Sequence, residues 1–465
     1  MIAPPSSADV VAGLWRLGGG DAAALDYLHL PGDDPVLPSS FRIGTAAQAS
    51  VAAVGLAAAE LHHRAGAPRQ SVSVDMRHAA VEFRSEHYLT IDGDALSSIF
   101  DPLFGAYRSG DARFVRLHMN FPHHRDNVLK LLGCAPTRAA IEAALKRWQA
   151  IAFETEACQR GCVVAAMRSP EEWAQHPQAA AVAAVPVVQI EKIGDAPPRP
   201  LPYGARALSG LRVLDLSRII AGPVAGRTLA AHGADVMGIS APHLPFIDWL
   251  VKDTGRGKLS AYADIATTDG SAALRRLIGG ADIFLQAYRP ASLAGRGFGP
   301  ADVAALRPGI VYGSLSAYGD LGPWATRRGF DSLVQTATGF NAAEAQAAGV
   351  EGPKELPCQA LDHASGYLLA FGILMARLRQ ASEGGSWLAR VSLAATGRWI
   401  WNLGRVENGF SCPLPSRDDV TDLLEESRSP FGLMRSVRHA ARLSATPAGW
   451  TRPAVPLGTH PPIWP

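Results

Sequence analysis

One carboxylate, Asp362, lies at the start of a long apolar run in the segment QALDHASGYLLAFGILMARL, residues 359–378. The run has the length and composition of a buried helix, where a charge is unusual. An aspartate at a helix start accepts hydrogen bonds from free backbone N–H groups and favours the positive end of the helix dipole. Asp362 is therefore predicted to cap this helix, and any further chemistry depends on what the rest of the chain places beside it.

The other reactive or metal-binding side chains are not spaced for a metal site or a disulfide framework. The cysteines are sparse and odd in number, which favours reduced thiols; they are Cys134, Cys158, Cys162, Cys358 and Cys412. The Cys158/Cys162 pair has no second pair at zinc spacing. The doublets His62-His63 and His123-His124 accompany no HExxH pattern and are interpreted as solvated surface residues. No metal site is expected.

Composition describes a globular chain with a sizeable core: 465 residues, 48% of them hydrophobic and 18% charged, with a formal net charge of +2. So small a net charge gives no electrostatic footprint for nucleic acid or an anionic membrane. The N-terminus lacks a basic region followed by an apolar core, and the apolar stretch 46–63 is interrupted by Gln48 and Ser50. A soluble cytoplasmic protein without nucleic-acid or membrane partners is expected.

Strands and helices alternate after a proline-rich linker at 194–210. The runs typical of strands are 211–217, 235–240, 260–265, 282–288 and 309–319, and those typical of helices are 221–234, 270–281 and 301–308. This alternation predicts an α/β fold with a doubly wound, mainly parallel sheet. The first half is expected to form a smaller α+β domain, with helical spacing throughout 137–161 and a helix start capped by Ser169.

The loop after the first strand of this sheet does not have the pattern of a dinucleotide site. It places Gly222 and Gly226 in a G-x-x-x-G spacing and not in G-x-G-x-x-G. Ser240 ends the second strand, where an acidic residue for the ribose is expected. NAD binding is therefore not expected, and the Walker pattern does not occur.

A faint internal repeat relates residues 45–76 to residues 362–393 at a constant offset of 317 positions. Both copies have the pattern helix, basic turn, strand. Under this alignment Thr45 stands in the place of Asp362, so only one copy keeps the carboxylate.

Five blocks of the second half resemble, in order and spacing, the family III CoA-transferases (the CaiB/BaiF family). The blocks are residues 208–239, 256–265, 281–299, 307–339 and 361–378. The segment RWQAIAFETEACQRGCVVAAMRSPEEWAQHPQ, 147–178, looks like the small domain that ordinarily follows the catalytic segment, but here it precedes it. The resemblance therefore implies a rearranged order. Residues 1–200 would carry the trailing part and small domain of one copy. Residues 208–465 would carry the Rossmann-like α/β domain, the catalytic segment and a proline-rich tail of another.

The resemblance implies that the chain is an acyl-CoA:carboxylate CoA-transferase in which Asp362 is the nucleophile and forms an aspartyl-CoA intermediate. Coenzyme A and acyl-CoA would be substrates, with no permanently bound cofactor, and an interlocked homodimer is possible. The other residues matching positions near CoA are Ile220, Ala221, Gly222, Pro223, Lys258, Tyr288, Arg296 and Arg328. Lys258 and Arg296 would lie near the nucleotide and phosphates, and Arg328 near the pantetheine path.

Two departures from the family pattern leave alternatives open. Ser240-Ala241-Pro242 replaces the usual basic segment after the second strand, and Gln286-Ala287-Tyr288 replaces the familiar "ENF". A non-catalytic CoA-binding or scaffold homologue is one alternative. A 2-methylacyl-CoA racemase is the other, disfavoured because Phe330 stands where that branch has a histidine and its chemistry needs two acid/base groups.

Overall fold

The fold was taken from a computed structural model that describes residues 4–95 and 98–465. The α-helices are α1 (Ser7–Gly18), α2 (Ile43–Arg64), α3 (Met76–Glu82), α4 (Ser85–Tyr88), α5 (Pro122–Leu132), α6 (Arg138–Leu145), α7 (Ala150–Gln159), α8 (Pro170–Ala174), α9 (Pro177–Ala183), α10 (Ala221–Ala231), α11 (Asp248–Thr254), α12 (Thr268–Gly279), α13 (Pro300–Leu306), α14 (Asp331–Ala337), α15 (Phe340–Ala348), α16 (Ala360–Glu383) and α17 (Leu393–Asn402). Short 3-10 helices occupy Ala22–Tyr27, Ala294–Arg296, Gly409–Ser411 and Asp418–Leu423.

The strands are β1 (Leu28–His29), β2 (Val72–Val74), β3 (Thr90–Ile91), β4 (Gly105–Arg108), β5 (Phe114–Leu117), β6 (Val164–Ala166), β7 (Gln189–Gly194), β8 (Arg212–Leu216), β9 (Asp235–Ser240), β10 (Lys258–Tyr262), β11 (Ile283–Gln286), β12 (Val311–Ser316), β13 (Ser386–Ser392), β14 (Leu424–Ser429), β15 (Gly432–Val437) and β16 (Ala441–Leu443). They form one seven-stranded sheet and three three-stranded sheets.

The central sheet has the strand order β10-β9-β8-β11-β12-β13-β7, and only the edge strand β7 runs antiparallel. The chain starts in the middle at β8, moves out to β10, then returns to the other side of β8 at β11. This is the order of a doubly wound sheet, with a switch point between β8 and β11. Its strands are short, mostly buried apolar runs, as in β11, whose four residues are all buried. The predicted α/β fold is confirmed.

A smaller α+β unit is built from the antiparallel sheet β4-β5-β6 with α5, α6 and α7, and it has its own apolar core. Residues 137–161 were expected to be one helix but form two, α6 and α7. The Asp111 carboxylate, from the turn between β4 and β5, accepts the N–H of Ala150 and so starts α7 anew. A tertiary contact thus overrides the local helical pattern. The predicted cap at Ser169 is present, as a capping box with Glu172.

The long helices α2 and α16 pack against each other in the main core. Helix α2 is long and apolar enough to cross a membrane by length and composition, but that stretch of it is entirely buried inside the protein. Helix α10 crosses α16 closely at Gly366, where a Cβ atom would lie 2.5 Å from the Ala221 carbonyl oxygen. This close crossing brings the start of α10 next to the start of α16.

The two copies of the internal repeat have the same elements in the same order. Helix α2 begins at Ile43 and α16 at Ala360, which is 317 residues later. The helix after the strand begins at Met76 in one copy and at Leu393 in the other, again 317 residues apart. The residues that cap these second helices, Asp75 and Ser392, keep the same offset. The repeat is therefore structural as well as sequential.

Strands on either side of the expected boundary at 194–210 pair with each other. Residues 195–210 carry no helix or strand, as the prolines predict, but β7 just before them pairs with β13 of the central sheet. Near the C-terminus, β15 pairs with β3 and β16 pairs with β2 of the first half. The expected regions 1–200 and 208–465 therefore share sheets, because strand pairing joins segments that are distant in sequence.

Candidate functional site

A cavity of about 340 Å³ opens at the carboxyl edge of the central sheet, where β8, β11 and β12 end. Residues 218–222, 287–290 and 315–317 form much of its wall. This edge contains the switch point of the sheet, where open α/β sheets bind ligands. The first turn of α16 and the start of α5 complete the wall, so both halves of the chain contribute to it.

The Asp362 carboxylate lines this cavity and is only 7% exposed. Within the described part of the chain, it has no hydrogen-bond or ion-pair partner, and only its backbone N–H is bonded. Buried carboxylates are normally hydrogen-bonded because desolvation of an unpaired charge is costly. An unpartnered carboxylate facing a cavity is therefore a candidate for reaction with a ligand.

Asp331 caps α16, and the prediction that Asp362 does so is wrong. The Oδ2 atom of Asp331, at the start of α14, accepts the backbone N–H of Asp362 at 2.9 Å. Its Oδ1 atom accepts the side-chain amide of Gln335. Asp362 lies inside the first helical turn, beyond the cap residue Gln359, and its side chain makes no capping bond. Its carboxylate is left free for the cavity.

Burial and the neighbouring carboxylates together disfavour the charged form of Asp362. Burial raises the pKa of Asp362 well above its usual range, and the charges of Asp331 and then Glu86 raise it further. Burial also raises the pKa of Asp331, to about 6, although the Asp362 N–H and the Gln335 amide favour its charged form. The donors around Asp331 favour its charged form, whereas the Asp362 carboxylate has no such donor.

The first copy of the repeat has no free carboxylate at the equivalent place. The Thr45 hydroxyl donates to Asp34 Oδ2 at 2.6 Å. The two oxygens of Asp34 also accept the backbone N–H groups of Gly44 and Thr45, at 2.9 and 3.0 Å. The start of α2 is thus closed by a bonded side chain, whereas the start of α16 opens into a cavity.

Glu86 comes from the first half of the chain and supports the residue next to Asp362. Its Oε2 lies 3.1 Å from Nε2 of His363, and both side chains are fully buried. Burial alone would raise the pKa of Glu86, but His363 lowers it to about 2. A buried negative charge on α4 is therefore fixed beside the first turn of α16.

Aromatic rings of the small unit pack with Phe330 at and behind one wall of the cavity. His118 stacks on Phe330 with ring centroids 3.8 Å apart, and Phe121 lies nearby. His124 packs against these rings and lines the cavity. The prediction that both histidine doublets are surface residues is wrong for His124 and for His62, which are buried. Adjacent side chains point in different directions from a helix, so one of each pair turns inward.

The residues expected near CoA separate into three groups. Those that line the Asp362 cavity are Ile220, Ala221, Gly222, Tyr288 and Arg328. Pro223 and Lys258 line a smaller neighbouring cavity of about 80 Å³. Arg296 is exposed in a 3-10 turn and does not line the Asp362 cavity. Its positive charge opposes the rise in the pKa of Tyr288 that burial causes.

Lys258 is not placed as a free cation. Its buried Nζ donates to Asp215 Oδ2 and to the Pro223 carbonyl oxygen, each at 2.8 Å. The lysine therefore ties β10 to β8 and to the first turn of α10. This placement gives no support to the expected contact with a phosphate group.

Three arginines around the cavity have no carboxylate partner within the ranges 4–95 and 98–465: Arg218, Arg289 and Arg328. Arg327, by contrast, is held by Glu154 at 2.8 Å. Arginines without partners at a cavity mouth favour an anionic ligand.

Sequence reasoning selected Arg328 but missed Arg218, Arg289 and Asp331, although all three lie inside or beside the matched blocks. Glu86 and His124 had no such signal, because they come from the first half of the chain.

Within the described ranges, no group of three or more His, Cys, Asp or Glu side chains is placed to hold a metal ion. The arrangement instead combines a nucleophilic oxygen, unpaired cations and a switch-point cavity. This combination suits transfer chemistry on an anionic substrate.

Part of the chain is similar to known proteins. Residues 208–409 match the sequence profile of CoA-transferase family III. The chain is 32% identical over 203 residues to a probable fatty acyl-CoA transferase of Mycobacterium tuberculosis, covering 41% of this chain and 51% of that protein. It is 34% identical over 158 residues to a succinate–glutarate CoA-transferase of Agrobacterium fabrum, covering 30% of this chain and 40% of the relative.

A longer match is with an acyl-CoA transferase of Gibberella moniliformis, 27% identical over 420 residues and covering 81% of this chain and 74% of the relative. Among solved structures, the orthorhombic form of the mycobacterial protein is 32% identical, with a TM-score of 0.39 and coverage of 43% and 58% of the two chains. The chain spans about half or less of the length of the first three curated relatives it matches.

Proposed function

We propose that this chain, whose residues 208–409 match CoA-transferase family III, transfers CoA from an acyl-CoA to a carboxylic acid, with Asp362 as nucleophile. The observation that carries the proposal is the free Asp362 carboxylate in a cavity at the switch point of the sheet. Its counterpart Thr45 is bonded to Asp34 and has no carboxylate, so a structural role alone does not account for Asp362.

The reaction consists of four displacements at carbonyl carbons. An oxygen of the Asp362 carboxylate attacks the thioester, and CoA thiolate leaves to give a mixed anhydride. The thiolate then attacks the aspartyl carbonyl, which forms an aspartyl-CoA thioester and releases the first carboxylate. The incoming carboxylate attacks that thioester and again forms an anhydride. The thiolate finally attacks the acceptor's carbonyl, so that the new acyl-CoA leaves and Asp362 is free again.

Two features of the cavity favour this sequence. The start of α16 favours a negative charge on the carboxylate within its first turn. The first turn of α10 supplies the N–H groups of Ala221 and Gly222, which have no carbonyl four residues earlier in the helix and no side-chain cap. Such groups stabilise an oxyanion that develops beside them.

The arginines at the mouth fit the anionic part of CoA. Arg218, Arg289 and Arg328 carry no carboxylate partner in the described chain and line the cavity, and Arg289 and Arg328 are exposed. Guanidinium groups bind phosphate oxygens with two parallel hydrogen bonds. The phosphates of CoA would therefore lie at this rim, with the pantetheine arm leading inward to Asp362.

The test is chemical trapping of the acyl-enzyme. The protein is incubated with succinyl-CoA or acetyl-CoA, treated with hydroxylamine, and digested for mass spectrometry. We expect a hydroxamate at Asp362, absent in Asp362→Ala and Asp362→Asn. Thr45→Ser is the matched control at the equivalent place of the first copy and should be trapped like the wild type. Transfer of CoA to glutarate is followed in parallel.

Other outcomes support the alternatives. CoA binding without any adduct or transfer supports a non-catalytic CoA-binding homologue. This alternative is favoured by the bond of Lys258 to Asp215, which occupies a lysine expected to bind CoA. Deuterium uptake at the α-carbon of a 2-methylacyl-CoA, without an adduct, supports a racemase. Succinyl-CoA and glutarate are chosen because one relative is a succinate–glutarate CoA-transferase, and their use by this chain is part of the proposal. Cytoplasmic location and the interlocked homodimer stay predictions from the sequence.

A further inference from the structure

His124 has features that neither its sequence context nor the proposed nucleophile explains. It is 4% exposed, lines the same cavity as Asp362, and its Nδ1 atom is buried without a hydrogen-bond partner. Within the described residues neither ring nitrogen of His124 is hydrogen-bonded, so the nitrogen that is not enclosed is free for a ligand in the cavity.

The rings around His124 fix its orientation. Its ring packs edge-on against His118 and Phe121, with centroids 5.6 and 5.4 Å away. Phe330 follows at 6.1 Å. Because Nδ1 is enclosed, Nε2 is the nitrogen left to meet a ligand in the cavity.

The surroundings favour the neutral ring. Burial, and after it the charges of His123, Arg328 and Arg218, together lower the pKa of His124 to about 3. His118 faces it as a second buried imidazole, and Asp362 is the acidic group that lines the same cavity. The ring lies in the first turn of α5, where the helix dipole also disfavours a positive charge.

A neutral imidazole has one N–H and one lone pair. A buried N–H without an acceptor is rarer in proteins than an under-bonded acceptor. The proton therefore belongs on Nε2, which leaves the lone pair on the enclosed Nδ1. The cavity thus receives a rigid, uncharged N–H donor from the first half of the chain.

We infer that His124 is a catalytic residue that donates the Nε2 hydrogen to the carbonyl oxygen of the acyl-CoA as Asp362 attacks it. The inference rests on the proposed function. As the new C–O bond forms, the carbonyl π electrons move to oxygen, and the hydrogen bond strengthens with the growing charge. No proton is transferred, so the imidazole is neutral before and after the step.

The experiment compares two buried histidines of the same cluster. His124→Phe keeps an aromatic ring but removes the donor, whereas His124→Gln keeps an N–H group. His118→Phe is the matched control, because its Nδ1 is also unpartnered but it does not line the cavity. Each variant is mixed rapidly with succinyl-CoA, and the rate of CoA release and the Kd for CoA are measured separately.

We expect His124→Phe to slow CoA release by about 100-fold, the usual effect of losing one oxyanion donor, with the Kd for CoA changed less than about 3-fold. His124→Gln should recover most of that rate, and His118→Phe should stay close to the wild type. A His124→Phe enzyme as fast as the wild type overturns the inference. So does an equal loss in His118→Phe, which would assign the effect to packing. A wild-type enzyme that releases no CoA instead refutes the proposed function itself.

Discussion

Removal of the charge at Asp331 should make Asp362 a better nucleophile above about pH 6, where the Asp331 carboxylate is ionised. The hydrogen bond of 2.9 Å from the Asp362 N–H to Asp331 fixes the two side chains beside the same helix start. At a separation of roughly 5 Å and an effective dielectric constant of about 20, two negative charges repel by ~3 kcal/mol. Asp331→Asn removes this repulsion and keeps one oxygen to accept the N–H. The pKa of Asp362, raised by burial and then by Asp331, should therefore fall.

The assay is the rate of hydroxylamine trapping at Asp362 as a function of pH. Attack requires the ionised carboxylate, so trapping rises with pH, and the acid limb should move to lower pH in the variant. On that limb, relief of ~3 kcal/mol corresponds to a rate up to about 100-fold higher. The new amide would face the Gln335 amide, and two opposed donors should lower the free energy of unfolding by about 1 kcal/mol. Faster trapping and lower stability thus move in opposite directions. A limb that stays in place or moves to higher pH in the folded variant would refute the argument.

Four further variants test other parts of the site. Asp362→Asn should become more stable relative to the wild type as pH rises. The pKa of Asp362 is higher in the folded than in the unfolded state, so the wild type loses stability with rising pH. Urea unfolding of both proteins at pH 5 and 8 measures this, and a difference in the free energy of unfolding that is the same at both pH values contradicts it. Glu86→Gln leaves His363 without its buried partner and should cost about 3 kcal/mol in the same assay, whereas a neutral result would show that the pair does not stabilise the fold. Lys258→Ala should lower the free energy of unfolding, because it removes the bond to Asp215. Arg328→Ala should weaken CoA binding measured by calorimetry, and by less at high salt. Weaker CoA binding in Lys258→Ala with unchanged binding in Arg328→Ala would instead place the phosphates against Lys258.

The α/β class of the central sheet was predictable because it depends on local patterns. Short apolar strands and helices alternate after residue 210, which is enough to predict a doubly wound, mainly parallel sheet. Asp362 could be selected because its type and place matched a family block. These features need only neighbours in sequence, which is why they survive without knowledge of tertiary contacts.

The details that failed depend on residues distant in sequence. Asp362 was expected to cap its helix, but Asp331, 31 positions earlier, provides the cap and frees it. The expected single helix over 137–161 breaks because Asp111 caps a new start at Ala150. His124 was assigned to the surface because no local pattern shows which of two adjacent rings a distant wall will cover.

Strand pairing also could not be predicted from composition. The linker at 194–210 has the proline content of a domain boundary, and residues 195–210 form no helix or strand. The boundary is crossed nevertheless, because β7 pairs with β13 and β16 pairs with β2. Such pairings join segments that are distant in the chain, and local composition does not show which two segments will meet.

The duplicated pair of helices α2 and α16 has a consequence for stoichiometry and for inheritance. Under the proposed chemistry a chain with two helix starts has one reactive end, so titration with a slowly reacting acyl-CoA should reach one equivalent per polypeptide. Because both copies are translated together, their pairing does not weaken on dilution. Substitutions around Thr45 are then selected only through folding, whereas those around Asp362 are selected through turnover as well. Among descendants of one gene, the first copy should accumulate changes faster than the second.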